Sequence, residues 1–160
     1  MAVDTFLELD GIKGESIDDK NKDLIDVLGW GWGMNQSGSF GTGGGGGAGK
    51  VDVQDIQITK YVDKSSPELM LHCCNGKHIP KGKIIVRKAG ENPIDYLIIE
   101  FEKLLVTSVS TGGGEGVERL TENATLNFST FKVIYTPQKE DGTGDAAVET
   151  GWDIGKNVKK

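Results

Sequence analysis

Between Gly41 and Gly49, seven of nine residues are glycine. Such a run loses the most conformational freedom when fixed, so neither helix nor strand is built from it. The wider block from Ser37 to Lys50 lies between two segments patterned as strands. The chain must therefore carry a long loop set into a β-framework. A phosphate-binding reading has to be tested first. Gly44 to Gly49-Lys50 fits Gly-x-x-x-x-Gly-Lys, but Val51 follows where a hydroxyl would hold magnesium. Gly41 to Gly46 fits Gly-x-Gly-x-x-Gly only as any glycine run does. Both motifs also need a helix after the loop, whose amides hold the phosphate. Val51 to Ile58 instead alternates with period two, the mark of a strand.

Taken in order, Phe6 to Leu9 reads as a short strand, followed by a polar stretch through Asn21. A second strand is expected over about Leu24 to Met34, with Leu28, Trp30, Trp32 and Met34 on one face and Gly29, Gly31 and Gly33 on the other. The apolar face would anchor in the core. The glycine face has two open readings: tight sheet packing, or a smooth surface turned toward a partner or channel. Val51 to Tyr61 is a strand whose apolar phase shifts from Val51 and Val53 to Ile56 and Ile58, so a bulge is expected near Asp55. One helix is predicted, capped by Ser66, with Pro67 at its first position and Asn75-Gly76 as its stop. Leu69, Met70, Cys73 and Cys74 would form its buried stripe. Further strands are expected over Lys83 to Lys88, Asp95 to Val109, Arg119 to Tyr135 and Val148 to Ile154. In the long one, Leu97, Ile99, Phe101, Leu105 and Val109 share a phase. In the next, Leu126 and Phe128 shift to Phe131, Val133 and Tyr135, as at a bend. Seven or eight strands with hairpin turns make the fold class mainly β: an antiparallel β-barrel of about eight strands, one short α-helix and an extended glycine-rich loop.

At 160 residues, one domain over 1–160 suffices, with the loop at about 37–50 and a flexible basic tail at about 155–160. The net charge of −6 disfavours nucleic acid, and no segment is long and apolar enough for membrane insertion. No secretory signal is seen. Cys73 and Cys74 are adjacent, which does not suit disulfide geometry, so reduced and inert thiols are expected. No catalytic constellation emerges. His72, expected to be solvated, and Cys73 would be the only nucleophile pair, zinc spacing is lacking, and no cofactor or metal is expected.

The residues carry a resemblance to a known family. Asp26-Val27-Leu28-Gly29-Trp30-Gly31-Trp32-Gly33-Met34, Ser37-Gly38-Ser39 with the glycine run, Thr59 to Ser65, Ile85 to Gly90, Val109 to Gly113, Arg119 to Asn123 and Gly151-Trp152 resemble the haemolysin co-regulated protein (Hcp) family, the inner-tube component of type VI secretion systems. The resemblance covers nearly the whole chain. It implies a non-enzymatic β-barrel subunit of a homohexameric ring, with rings stacking into a tube inside a contractile sheath under a VgrG-type spike. The tube would be assembled in the bacterial cytoplasm and expelled, carrying secreted effectors in its lumen. Within that frame, Gly29, Gly31, Gly33, Gln54 and Gln57 are lumen candidates, together with Asp52 and Thr59. Ser37, Phe40, Gly41, Gly45, Gly49 and Lys50 are candidates for a subunit or ring interface, with Phe40 as apolar anchor. Gly90, Glu91, Gly113 and Gly155 are candidates for ring-stacking ends. A small-ligand-binding barrel is the competing class, and a hydrolase built on His72 and Cys73 a more distant one.

Overall fold

A computed structural model describes residues 3–38, 40–41 and 49–160. Its strands are β1 (Val3–Leu9), β2 (Ile25–Val27), β3 (Gly29–Gly31), β4 (Met34–Asn35), β5 (Asp52–Val53), β6 (Ile56–Tyr61), β7 (Ile79–Lys88), β8 (Ile94–Gly112), β9 (Thr121–Tyr135), β10 (Val148–Asp153) and β11 (Val158–Lys159), with one helix, α1 (Ser65–Asn75), between β6 and β7. The fold is mainly β, and every strand pairing among the described residues is antiparallel. The pairings run in a ring. β1 pairs β2, and one residue later β3 pairs β6, bridged by the Leu28 amide to the Thr59 carbonyl at 2.8 Å. β6 pairs β9, β9 pairs β8, β8 pairs β7, and β7 returns to β1. β10 and β11 extend the sheet from the far half of β9, and β4–β5 form a separate ribbon at the root of the glycine loop.

The interior of the ring is filled with side chains. Leu7, Ile25, Ile56, Leu69, Ile84, Leu104, Ala124 and Leu126 are fully buried, joined by Phe101 and Phe128. Trp32 completes an aromatic cluster, its ring centroid 4.9 Å from that of Phe131 and 5.9 Å from that of Phe128.

Several expectations are corrected in physical detail. The stretch from Leu24 to Met34 is three short strands, because the chain passes from β1 to β6 and then peels off into the ribbon. Only Trp32 of its apolar set reaches the core; Leu28, Trp30 and Met34 stay exposed. The strand expected over Val51 to Tyr61 is interrupted at Gln54–Asp55, where the predicted phase shift lies. In β8 the core takes Leu104 and Val106 rather than Leu105. Lys103 adopts a left-handed φ of 54°, which moves the inward phase by one residue. A register shift between Val106 and Ser108 moves it back, so Val109 packs against the core as its spacing suggests. The bend expected in β9 falls at the same level, where Phe128 and Phe131 are both buried. The tail is not free: β11 folds back on β10, the Lys160 amide reaches the Gly151 carbonyl, and the Lys160 ammonium pairs with Glu102 at 2.6 Å.

The helix starts at Ser65 after Lys64, with no side-chain cap, and Gly76 stops it in left-handed conformation as expected. Its buried residues are Ser65, Ser66, Leu69 and His72, while Met70, Cys73 and Cys74 are exposed. The cause is a buried ion cluster beneath its first turn. The fully buried Lys60 ammonium contacts the buried Glu122 carboxylate, Asp63 at 3.0 Å and the Ser66 hydroxyl at 3.2 Å. Ser66 also donates to Glu122 at 2.7 Å, and Asp63 accepts from the Ser65 amide at 2.8 Å. A buried charge must be paired and hydrogen-bonded, so the two serines turn inward and the thiols are left outside.

A second ion cluster pins the polar stretch after β1. Arg87 grips Asp18 with two donors at 2.8 and 2.6 Å, reaches Asp4 at 3.2 Å and lies 5.2 Å from the Phe6 ring centre. The Arg87 hydrogen bonds, helped by its charge and by Asn21, hold the Asp18 carboxyl at about 2 rather than 3.8. The unfolded carboxyl keeps its ordinary value, so this pairing stabilises the fold above about pH 4 and is lost as pH falls through about 2. Asp18→Asn is expected to remove that part of the acid sensitivity. Urea midpoints measured from pH 5 down to pH 2 should fall more steeply for the wild type, and parallel slopes would refute the assignment.

Candidate functional site

Opposite the core, strands β3, β6, β9 and β8 present two cross-strand rows. Register places Gly29 beside Thr59, Thr59 beside Asn123, and Asn123 beside Ser110. Two residues along, Gly31 stands beside Gln57, Gln57 beside Thr125, and Thr125 beside Ser108. Period two puts all eight on one face, while Ile58 and Ala124, between the rows, point into the core. The face therefore consists of glycine, hydroxyls and amides, with no charge in either row.

Hydrogen bonds stitch it together. Thr59 donates to the Asn123 side-chain oxygen at 2.7 Å. Thr107, Thr125 and Ser108 form a hydroxyl chain with steps of 2.6 Å. At its end Asp55 accepts from the Thr107 hydroxyl at 2.7 Å and from the Asn127 amide at 2.8 Å. The bend at Asp55 thus has a second role, placing a carboxylate at the margin of the neutral rows.

The space around the glycines bears on the two readings left open by the sequence. A methyl group built on Gly29 or Gly31 meets nothing within 4 Å. Among the described residues no neighbour demands glycine there. Gly33 is also roomy, its nearest neighbour being the Gln54 side-chain oxygen at 3.5 Å. Gln54 follows the ribbon, its carbonyl accepting from the Trp32 indole at 2.9 Å. Exposed Leu28 and Trp30 flank the glycines. Of the lumen candidates, Gly29, Gly31, Gln57 and Thr59 are brought together on adjacent strands, with Gly33 and Gln54 beside the ribbon; Asp52 lies in the ribbon itself.

The loop candidates fall at its two limbs. Ser37 and Gly49 lie so close that a side chain at Gly49 would overlap the Ser37 hydroxyl. Phe40 is 92% exposed, and Gly41 and Lys50 are exposed. Gly45 lies outside the described residues. The loop root borders an apolar groove lined by Met34, Val51, Val53, Val133 and Trp152. The end candidates separate: Gly90 and Glu91 lie in the β7–β8 turn, Gly113 follows the opposite end of β8, and Gly155 lies in the β10–β11 turn beside the middle of β9.

Across β1, β7, β8 and β9 runs a different row, in which Glu8, Lys83, Glu100 and Lys132 alternate in sign through successive pairings. Opposite charges directly across a strand pair are favourable, and the Lys83–Glu8 contact is 3.5 Å. The barrel wall is thus neutral on one side and charge-laced on the other.

The histidine expected to be solvated is buried: His72 is 7% exposed and its Nδ1 lies 2.7 Å from the Glu68 carbonyl oxygen. Cys73 and Cys74, expected to be buried, are exposed free thiols.

The sequence reading missed Thr107, Ser108, Ser110, Asn123, Thr125 and Asn127 as members of the polar face. Their signal was present: the β9 run Thr121, Asn123, Thr125, Asn127 alternates with buried Glu122, Ala124, Leu126 and Phe128.

Comparison with known proteins agrees with this architecture. The family model described as "Type VI secretion system effector, Hcp" matches residues 6–135. The chain is 59% identical to protein hcp1 of Pseudomonas aeruginosa, covering 99% of each. Among solved structures it resembles Hcp1 from Salmonella typhimurium (TM-score 0.80, 36% identity, 99% of this chain and 100% of that one). It also resembles a structure described as a type six secretion system protein (TM-score 0.94, 28% identity, 99% and 100%).

Proposed function

The chain belongs to the Hcp family of type VI secretion proteins, and on that premise we propose that it is a non-catalytic tube subunit. Six copies close into a ring, rings stack into a tube beneath a VgrG-type spike, and a contractile sheath expels the tube with effectors in its lumen. The neutral polar face of β3, β6, β9 and β8 lines that lumen. This face carries the reading: a methyl group added to Gly29 or Gly31 would meet none of the described residues within 4 Å, and hydroxyls and amides offer a wetted wall to a passing chain. The limbs of the glycine loop, with exposed Phe40, supply contacts between subunits or rings, and the turns holding Gly90, Glu91 and Gly113 supply the stacking ends. An assembled state also gives a use to exposed Leu28, Trp30, Val117, Leu120 and Val148. A ligand-binding barrel is less well supported, because the ring interior is filled by Phe101, Leu104 and their neighbours.

Light scattering with negative-stain imaging tests the proposal. The expected mass is six times the 17.2 kDa subunit, in particles with a central hole. A monomer at micromolar concentration in physiological salt would overturn it.

A further inference from the structure

The hydroxyl chain on the polar face has a direction. A carboxylate accepts only, so the single proton of Thr107 is committed to Asp55. Thr107 must then accept from Thr125, and Thr125 from Ser108. Asn127 spends one amide proton on the other Asp55 oxygen. The chain runs Ser108 to Thr125 to Thr107 to Asp55, each bond polarising the next. Ser108 is exposed at its head, its oxygen left to accept. Asp55 is half-buried and is the one ionised side chain in this lattice among the described residues.

Charge and donor–acceptor polarity thus favour the same visitor. An ammonium or guanidinium group carries positive charge, has several donors and no acceptor, and meets both the carboxylate and the exposed oxygens. We propose that Asp55 is the specificity-determining residue of the polar face, and that the face takes a lysine- or arginine-bearing segment of a partner chain. The inference rests on the lumen reading: in a closed ring the carboxylate repeats once per subunit around the wall, at fixed height, with neutral hydroxyl rows beside it. Low-dielectric walls focus such a field on the enclosed solvent. The neutral rows add hydrogen bonds with little demand on sequence.

The test uses labelled hexalysine, hexaserine and hexaglutamate peptides and the full-length protein, read by fluorescence anisotropy at low and moderate salt. Asp55→Asn removes the charge and turns one of the two acceptors at the end of the hydroxyl chain into a donor while keeping side-chain size. Glu140→Gln, in the exposed connection before β10, makes the same change in net charge away from the face. Wild type is expected to bind hexalysine in preference to the other two, with affinity falling as salt rises. Asp55→Asn is expected to bind it about tenfold more weakly, and Glu140→Gln like the wild type. The proposal is overturned if Asp55→Asn binds as the wild type does, if Glu140→Gln loses as much, or if wild type shows no preference for hexalysine. Light scattering on the same samples separates the two readings. A monomeric wild type overturns the ring; hexalysine is then still expected to shift the Thr107, Ser108, Thr125 and Asn127 amide resonances of wild type but not of Asp55→Asn. Absence of those shifts overturns the inference.

Discussion

Replacing Lys60 by methionine is expected to cost about 3–5 kcal/mol of stability, because it leaves buried carboxylates without their cation. Lys60 and Glu122 are fully buried and Asp63 nearly so, and the Glu122 Oε2 atom already has no hydrogen-bond partner among the described residues. Removing the ammonium would leave the buried Glu122 carboxylate with only the Ser66 hydroxyl and free Asp63 from its contact with β6. For a chain of this size that loss corresponds to a fall in Tm of roughly 6–20 °C. The paired change Lys60→Met with Glu122→Leu should recover much of it, since an apolar pair of similar volume often replaces a buried ion pair without penalty. Denaturation at fixed protein concentration checks both, because assembly would add stability of its own. A single variant within about 1 kcal/mol of wild type would show that the cluster is solvated and structurally minor.

Phe101→Ala is expected to cost about 3–5 kcal/mol as well, by a different mechanism. Phe101 is 1% exposed, its ring centroid 4.5 Å from that of Phe128 and 6.2 Å from that of Trp32. The cavity would open beneath Trp32, the one residue of the tryptophan–glycine stretch that reaches the core. The damage should therefore spread to the ribbon, whose Gln54 carbonyl the Trp32 indole holds. Tryptophan emission should shift toward the red as Trp32 gains water, and the assembled mass should fall at a concentration where wild type remains intact. Phe101→Leu, which leaves a smaller void, should do clearly less of both. Equal effects of the two would show that the void does not control the loss.

What the sequence disclosed followed the strength of its periodicity. The alternation in β6 and β9 gave those strands and the bend near Asp55 directly, and Gly76 marked the end of α1. The face of the helix was missed by about one residue, or roughly 100° of rotation. Hydrophobicity favoured Met70 and the cysteines, but the buried Lys60 recruited Ser65 and Ser66, a demand set by a strand neighbour rather than by the helix. The tryptophan–glycine stretch was misread for a related reason. Its alternation is regular, yet the chain changes partners within it, and partners are not written in local pattern. The left-handed Lys103 gives no signal at all, since lysine is not a residue that announces a positive φ. On the polar face, glycine and glutamine drew attention, whereas the serine and threonine of β8 needed cross-strand register to acquire meaning.

The ring of pairings also imposes an order in time. β8 and β9 meet across one turn, and β7 and β8 across another, so these hairpins ask little of a searching chain. Closure is different: Thr5 must lie beside Val86, and Ile58 beside Ala124, before Ile25 to Gly31 can span the gap between β1 and β6. Distant pairings carry the entropy of long loops and form slowly. The bare glycine stretch is therefore a late arrival, and the polar face that it borders takes shape only once the pairings behind it have formed. On the ring proposal, a subunit caught before that step would offer neighbours no finished wall, which would tie readiness for assembly to the last event of folding.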